Sequence, residues 1–156
     1  MGYPIVLYGA DGEQFNRYRD DNQELPYGTQ MVMQDGRKFR FARAGATLLV
    51  VGEVQQSAAP VSTAVGLTAI ASAAGSRSPQ ATTGGAAIVA NFYREGTVHG
   101  SVTPDGGSTY VIGDHLANAG SVAIVLNLAP GFSVREAWTT TTRVSLLLNP
   151  YKNVIE

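Results

Sequence analysis

The sequence predicts an all-β protein: a single β-sandwich or small β-barrel with an extended N-terminal arm. Several short segments alternate apolar and polar residues, and clusters of Gly, Pro, Asp and Asn separate these segments. No segment keeps the helical period of about 3.6 residues. At 156 residues the chain has the length of one domain. We therefore predict an arm over residues 1–28 and a β-rich body over residues 29–156.

The predicted arm differs from the body in charge and periodicity. The first 45 residues hold six acidic and six basic side chains, which leaves eleven charges for the other 111 residues. Residues 9–28 have neither a helical nor a strand period, and they form either an arm on a neighbouring subunit or a loop on their own domain. An arm of this kind would gain order only on binding. The interface candidates are aromatic residues of the arm and two arginines that follow it: Tyr3, Tyr8, Phe15, Tyr18, Tyr27, Arg37 and Arg40.

Residues 29–43 predict a β-hairpin. Asp35 and Gly36 are the residue types of a two-residue turn with positive φ at its central positions. Alternation then places four large apolar side chains on one face: Met31, Met33, Phe39 and Phe41. We interpret the basic residues of the hairpin as a charged edge that resists strand-to-strand aggregation. Contact with phosphates, or pairing with the acidic arm of a neighbouring copy, are the alternatives.

The middle of the chain is less regular. Residues 47–51 are a short apolar run that predicts a buried strand. Between residues 57 and 90 the only charge is Arg77, and repeated Gly, Ser and Thr favour short strands or an irregular connection over a helix. Residues 87–93 predict a further strand.

The last third predicts strands with clear turns between them. Residues 98–102 and 109–112 read as a pair joined across residues 104–107, a cluster of turn-forming residues. Two further strands each place alternate apolar residues on one face. These residues are Val122, Ile124, Leu126 and Leu128 in the first, and Val144, Leu146 and Leu148 in the second.

Composition disfavours several classes of partner. Charged residues make up 15% of the chain, against about 25% in an average globular domain. A net charge of −1 provides no field that would attract nucleic acid or anionic lipid. No apolar stretch approaches the length of about 18 residues that a membrane helix requires. We expect neither a nucleic-acid nor a membrane partner.

No pattern of catalytic or metal-binding residues is present. The two histidines, His99 and His115, are interpreted as surface or sheet-edge residues, because no third ligand is suitably spaced. The acidic clusters at residues 11–13 and 20–22 lack the spacing of a calcium loop. Nucleophile elbows and phosphate-binding glycine loops are also missing. We therefore expect no enzyme activity, no metal and no cofactor.

Three segments resemble structural proteins of tailed-bacteriophage heads. They are YGTQMVMQDGRKFRFARAG at residues 27–45, GGSTYVIGDH at residues 106–115, and LLLNPYKNVIE at residues 146–156. The resemblance implies a capsid decoration or cement protein in the virion, assembled in the host cytoplasm and bound in many copies to the outer surface of the major capsid protein. It also implies self-association, with a homotrimer favoured. The alternative is a β-domain adhesin or a tail-associated module that binds a host or a glycan, in which Trp138 and tyrosines would line a groove.

Overall fold

The computed structural model describes residues 6–15, 23, 25–50 and 52–155, without the side chain of Phe15. Regular structure in these residues consists of β-strands and short 3-10 turns, so the all-β prediction is confirmed. The chain forms two compact units. Unit 1 contains Met1–Ala58 and Pro150–Glu156, and unit 2 contains Ala59–Asn149.

Unit 1 contains a three-stranded sheet in the order β1 (Val6–Gly9), β2 (Gln30–Met33) and β3 (Lys38–Arg40). β1 runs parallel to β2. The predicted boundary between residues 28 and 29 therefore falls inside unit 1, because backbone pairing joins the two sides of that boundary. Residues 6–9 of the predicted arm are a strand in the sheet of their own unit. Contact of the arm with a neighbouring subunit stays a prediction.

β2 and β3 form the predicted hairpin, in antiparallel register. Gly36 has a φ of +85°, as predicted. The turn is longer than the predicted two-residue turn, because the Met33 N–H donates to the Arg37 carbonyl at 2.9 Å and encloses residues 34–36. A three-residue loop that ends in a left-handed glycine is the next most common hairpin connection, and it requires positive φ only at the glycine.

Residues 47–50 do not form the predicted buried strand, and residue 51 lies outside the described residues. Leu48 and Val50 are exposed. A strand needs ladder pairing with a neighbouring strand, and residues 47–50 belong to no described strand or β-bridge. The chain regains pairing only at Gln56, which forms an antiparallel bridge with Ile155.

Unit 2 contains seven strands. Their bounds are β4 Leu67–Ile70, β5 Gln80–Thr82, β6 Thr97–Gly100, β7 Thr109–Asp114, β8 Ala123–Val125, β9 Asn127–Leu128 and β10 Arg143–Leu147. They form one sheet in the order β8-β5-β4-β10-β6-β7-β9, in which every neighbouring pair is antiparallel. The predicted pair across residues 104–107 is confirmed as β6 and β7.

The sheet of unit 2 closes on itself, because its two edge strands belong to one stretch of chain. Only Leu126 separates the end of β8 from the start of β9. β8 pairs with β5 and β9 pairs with β7, while the Leu126 N–H donates to the Pro79 carbonyl at 2.9 Å. With β8 and β9 counted as one strand, unit 2 is a six-stranded antiparallel barrel, which is the barrel form of the predicted fold.

The core of unit 2 fills this barrel. Alternate residues of the strands point inward, among them Val98, Ile112, Ile124, Val144 and Leu146. This confirms the predicted faces of the last two strands, except that Val122 precedes β8 and is exposed. Trp138 and Tyr93 come from connecting segments and are also buried in the core.

One predicted strand of unit 2 is absent. Residues 87–93 contain a single antiparallel bridge, between Ile88 and Asn118, followed by turns. Asn91 and Glu95 have positive φ values of 59° and 64°, a conformation that an extended strand does not contain. Tyr93 of this segment is buried in the core, and Ile88 and Phe92 pack against it, whereas Val89 is exposed.

Candidate interaction surface

The predicted interface residues belong to unit 1, and among those whose side chains are described, Tyr27 and Arg40 line the same cavity. Tyr3 and Tyr18 lie outside the described residues, as does the side chain of Phe15, whose backbone belongs to a 3-10 turn. Tyr8 on β1 is 87% exposed. Tyr27 instead stacks on Phe41 of its own unit, with ring centroids 5.7 Å apart.

Arg37 joins the loop after β1 to the hairpin turn. Its Nε donates to Asp35 Oδ2 at 2.6 Å, and its Nη2 donates to Asp11 Oδ1 at 2.8 Å. The Arg37 backbone N–H and then its side chain hold the pKa of Asp35 below its usual value. Hydrogen bonds to Asp35, and then to Asp11, raise the pKa of Arg37. The cation is therefore neutralised within unit 1.

Arg40 also has partners in its own unit. Its Nη1 donates to the Gly28 carbonyl at 2.8 Å, and its guanidinium lies 5.9 Å from the centroid of the Tyr151 ring. This geometry is that of a weak cation–π contact. Arg40 therefore packs the C-terminal segment of unit 1 against the hairpin and does not extend into solvent as a lone charge.

Unit 1 contains a cavity of about 540 Å³. This volume lies within the range of about 300–1,000 Å³ that is usual for binding sites. The lining is mixed: apolar and aromatic side chains alternate with polar and charged ones. It includes Leu7, Tyr27, Met31, Phe39, Phe41 and Leu48 on the apolar side, and Glu13, Gln14, Gln23, Thr29, Arg40 and Arg43 on the polar side.

Beside this cavity the chain exposes an apolar loop, defined here as residues 46–50 and 52–55. Leu48 is 87% exposed and Val54 is 88% exposed, and Val50 is exposed as well. Glu53 is its one charged residue. Sequence reasoning missed this surface, because a short apolar run between glycines has the same pattern whether it is buried or exposed.

One of the two histidines, His115, does not lie at the surface as predicted. His99 lies on β6, and its Nδ1 is 3.0 Å from Thr109 Oγ1. His115 is buried, which corrects the prediction of a surface residue. The Tyr93 N–H donates to His115 Nε2 at 3.0 Å, and His115 Nδ1 lies 2.9 Å from the Leu116 carbonyl. Nε2 must accept and Nδ1 must donate, so this imidazole is neutral and fixed in one tautomer.

A buried carboxylate lies at one end of the barrel. Tyr110 Oη donates to the Asp105 carboxylate at 2.8 Å, and Trp138 Nε1 donates to it at 2.6 Å. The Arg135 N–H donates to Tyr110 Oη at 2.8 Å. These bonds connect the loop between β6 and β7 to the segment before β10. We assign the cluster a structural role, because its donors and acceptors are engaged within the barrel.

Among the residues that the structure describes, no group of three or more His, Asp or Glu side chains could hold a metal ion. No helix among those residues has the length and apolar content that crossing a membrane requires. Comparison with protein-family models, with curated proteins and with solved structures finds no match for this chain.

Proposed function

We propose that this protein is a non-enzymatic structural protein of a tailed-phage virion, which binds the outer surface of the major capsid lattice and stabilises the head. We further propose that it does so as a homo-oligomer, with a trimer favoured. The resemblance of the three segments described above supports the capsid assignment. The observation that carries the proposal is the exposed apolar loop of unit 1.

Attachment to a protein lattice needs apolar area that becomes buried on binding, surrounded by polar groups. The apolar loop offers this area, since Leu48 and Val54 each expose most of their side chain to solvent. Each Å² of apolar surface that is removed from water contributes roughly 25 cal/mol to the binding free energy. A single copy binds weakly through so small a patch, and many copies on a lattice, or linked copies, reach higher occupancy through avidity.

The adhesin alternative loses its principal residue in this fold. Trp138 lies in the barrel core and donates its indole N–H to Asp105, so it does not line a sugar-binding groove. The alternative would have to use the cavity of unit 1, where Tyr27 and Phe41 provide aromatic rings. That form of the adhesin hypothesis predicts binding to glycans, or to host cells, by the free protein.

The test is an occupancy measurement on phage heads that are assembled from the major capsid protein of the source phage in the absence of this protein. Wild-type protein should co-sediment with these heads and raise the temperature at which they lose DNA. The double variant Leu48→Asp and Val54→Asp should lose at least about 90% of its occupancy, because it places two charges in the contact.

Val102→Asp is the matched control, since it adds the same charge at an exposed valine of unit 2. It should decorate heads as the wild type does. Absence of wild-type binding to heads, together with retention on glycan arrays or host cells, would replace the capsid proposal with the adhesin. If the double variant occupies the heads fully, a surface other than the apolar loop attaches the protein to the head.

A further inference from the structure

A β-ribbon without charged side chains on its surface lies between β5 and β6 and between β7 and β8 in the sequence of unit 2. We define the ribbon as residues 84–91 and 115–121, two segments that run antiparallel and are joined by one β-bridge, Ile88 with Asn118. The Ile88 N–H donates to the Asn118 carbonyl, and the Asn118 N–H donates to the Ile88 carbonyl, both at 2.8 Å. A further bond from the Asn91 N–H to the His115 carbonyl, at 3.0 Å, extends the pairing.

Buried polar side chains hold the ribbon in place. Asn118 Oδ1 accepts from Thr83 Oγ1 at 2.8 Å, and Asn118 Nδ2 donates to the Ala123 carbonyl at 2.9 Å. His115 is fixed by Tyr93 and by its own neighbour Leu116, as described above. Because these anchors are buried and satisfied, the outer face of the ribbon is preorganised.

The outward side chains of the ribbon are apolar. Leu116 is 83% exposed and Val89 is 68% exposed. The remaining exposed positions are mostly alanines, namely Ala86, Ala87, Ala90, Ala117 and Ala119. The only titratable side chain in the ribbon is that of His115, which points into the core. Small side chains allow a second backbone to approach closely.

The edges of the ribbon also carry backbone groups without a partner, although the Val89 carbonyl accepts from the Phe92 N–H at 3.2 Å. Ile88 and Asn118 face each other as a hydrogen-bonded pair, so the polar backbone groups of the residues beside them point away from the ribbon. Within the described chain, no hydrogen bond engages the N–H of Ala87, Val89, Ala117 or Ala119. Proteins usually protect such edges with charges, proline or a bulge. This ribbon contains neither a charged side chain on its surface nor a proline.

We propose that the ribbon pairs edge to edge with the ribbon of a second copy of this chain. An antiparallel strand pair is related by a local two-fold axis, so an edge with free donors and acceptors is complementary to itself. A neutral apolar surface meets an equally neutral one in such a contact, and no charge is buried without a partner. This inference rests on the homo-oligomer part of the proposed function and refines it, because a two-fold contact joins two copies and does not by itself form the favoured trimer.

The first experiment measures self-association in the absence of capsids, by sedimentation of the full chain at concentrations up to about 0.1 mM, which detects micromolar contacts. Wild-type protein should form a discrete dimer of two 16.4 kDa copies, because one two-fold contact closes at two. Val89→Lys should weaken association at least about tenfold, because it places like charges at the pairing edge. Val102→Lys is the control, since the directions of β6 and β7 place it at the opposite end of the barrel, and it should associate like the wild type.

A second measurement uses only the wild-type protein and therefore does not require that any variant folds. Amide exchange in wild-type protein should slow at Val89 and Ala87, or at Ala117 and Ala119, as protein concentration rises. Intrinsic fluorescence of Trp138 checks that each variant keeps its core. A monomer over the whole concentration range, an open-ended aggregate, or an assembly that Val89→Lys and Ala117→Lys both leave intact would overturn the proposal. None of these outcomes bears on the capsid test, which uses the apolar loop.

Discussion

At the scale of single residues, Gly36 shows how a local backbone requirement determines a turn. Its φ of +85° lies in the left-handed region, and a Cβ built there would meet no atom within 4 Å. The requirement for glycine is thus conformational and does not come from crowding.

We predict that Gly36→Val destabilises the protein by about 1 kcal/mol or more, because a β-branched residue disfavours positive φ. Calorimetric unfolding of the purified variant measures the change. Gly36→Asn should lower the free energy of unfolding by less than Gly36→Val does, since asparagine tolerates the left-handed region. Equal stability of the valine variant and the wild type would contradict the observed turn.

Two buried tyrosines predict a loss of stability at alkaline pH. Burial raises the pKa of Tyr93 and of Tyr110 above the ordinary value of 10.0. The unfolded chain therefore loses these protons at a lower pH than the folded chain, and the free energy of unfolding falls as the pH rises from about 10 through the folded pKa values.

The double variant Tyr93→Phe and Tyr110→Phe should reduce this alkaline slope, as measured by melting temperature against pH. Tyr110→Phe alone should also lower stability near neutral pH, because Asp105 loses a buried donor. If the slope above pH 10 is the same in the double variant and the wild type, other groups cause the loss.

At the scale of elements, β10 is central to the barrel. It pairs with β4 on one side and with β6 on the other, and its inward residues Val144 and Leu146 are fully buried. The alternate residues Ser145 and Leu147 face outward. One strand thus contributes to the core and to the continuity of the sheet.

Leu146→Ala should lower the free energy of unfolding by about 2–5 kcal/mol, through lost apolar burial and a residual cavity. Leu147→Ala, one position along the same strand, should change it by only about 0.5 kcal/mol. Chemical denaturation followed by Trp138 fluorescence compares the two. Similar losses in both variants would mean that the register of β10 is shifted by one residue.

At the scale of the whole molecule, each unit is built from its own part of the chain. Among the described residues, those buried in the core of unit 2 lie between Ala64 and Leu146. β1, in contrast, belongs to the sheet of unit 1 through its pairing with β2.

Deleting residues 1–25 should therefore remove a strand from unit 1 and leave the barrel folded. Trp138, the only tryptophan, reports on the barrel, and its emission should stay that of a buried indole. Far-ultraviolet circular dichroism should show partial loss of β-structure. Emission of an exposed indole in the truncated protein would show that the barrel depends on the N-terminal segment.

The sequence alone determined the all-β class, the hairpin at residues 29–43, the β6–β7 pair and the inward faces of β10 and of residues 124–128. These features depend on alternation and on turn residues, which act over a few neighbouring positions and can be read from them.

Only the tertiary structure decided which strands pair, and therefore where the surfaces lie. The parallel pairing of β1 with β2, the closure of the barrel through Leu126, the burial of His115 and the exposure of Leu48 all depend on partners distant in the chain. A residue's polarity favours either a buried or an exposed environment, but long-range packing and hydrogen bonding determine which environment the fold provides.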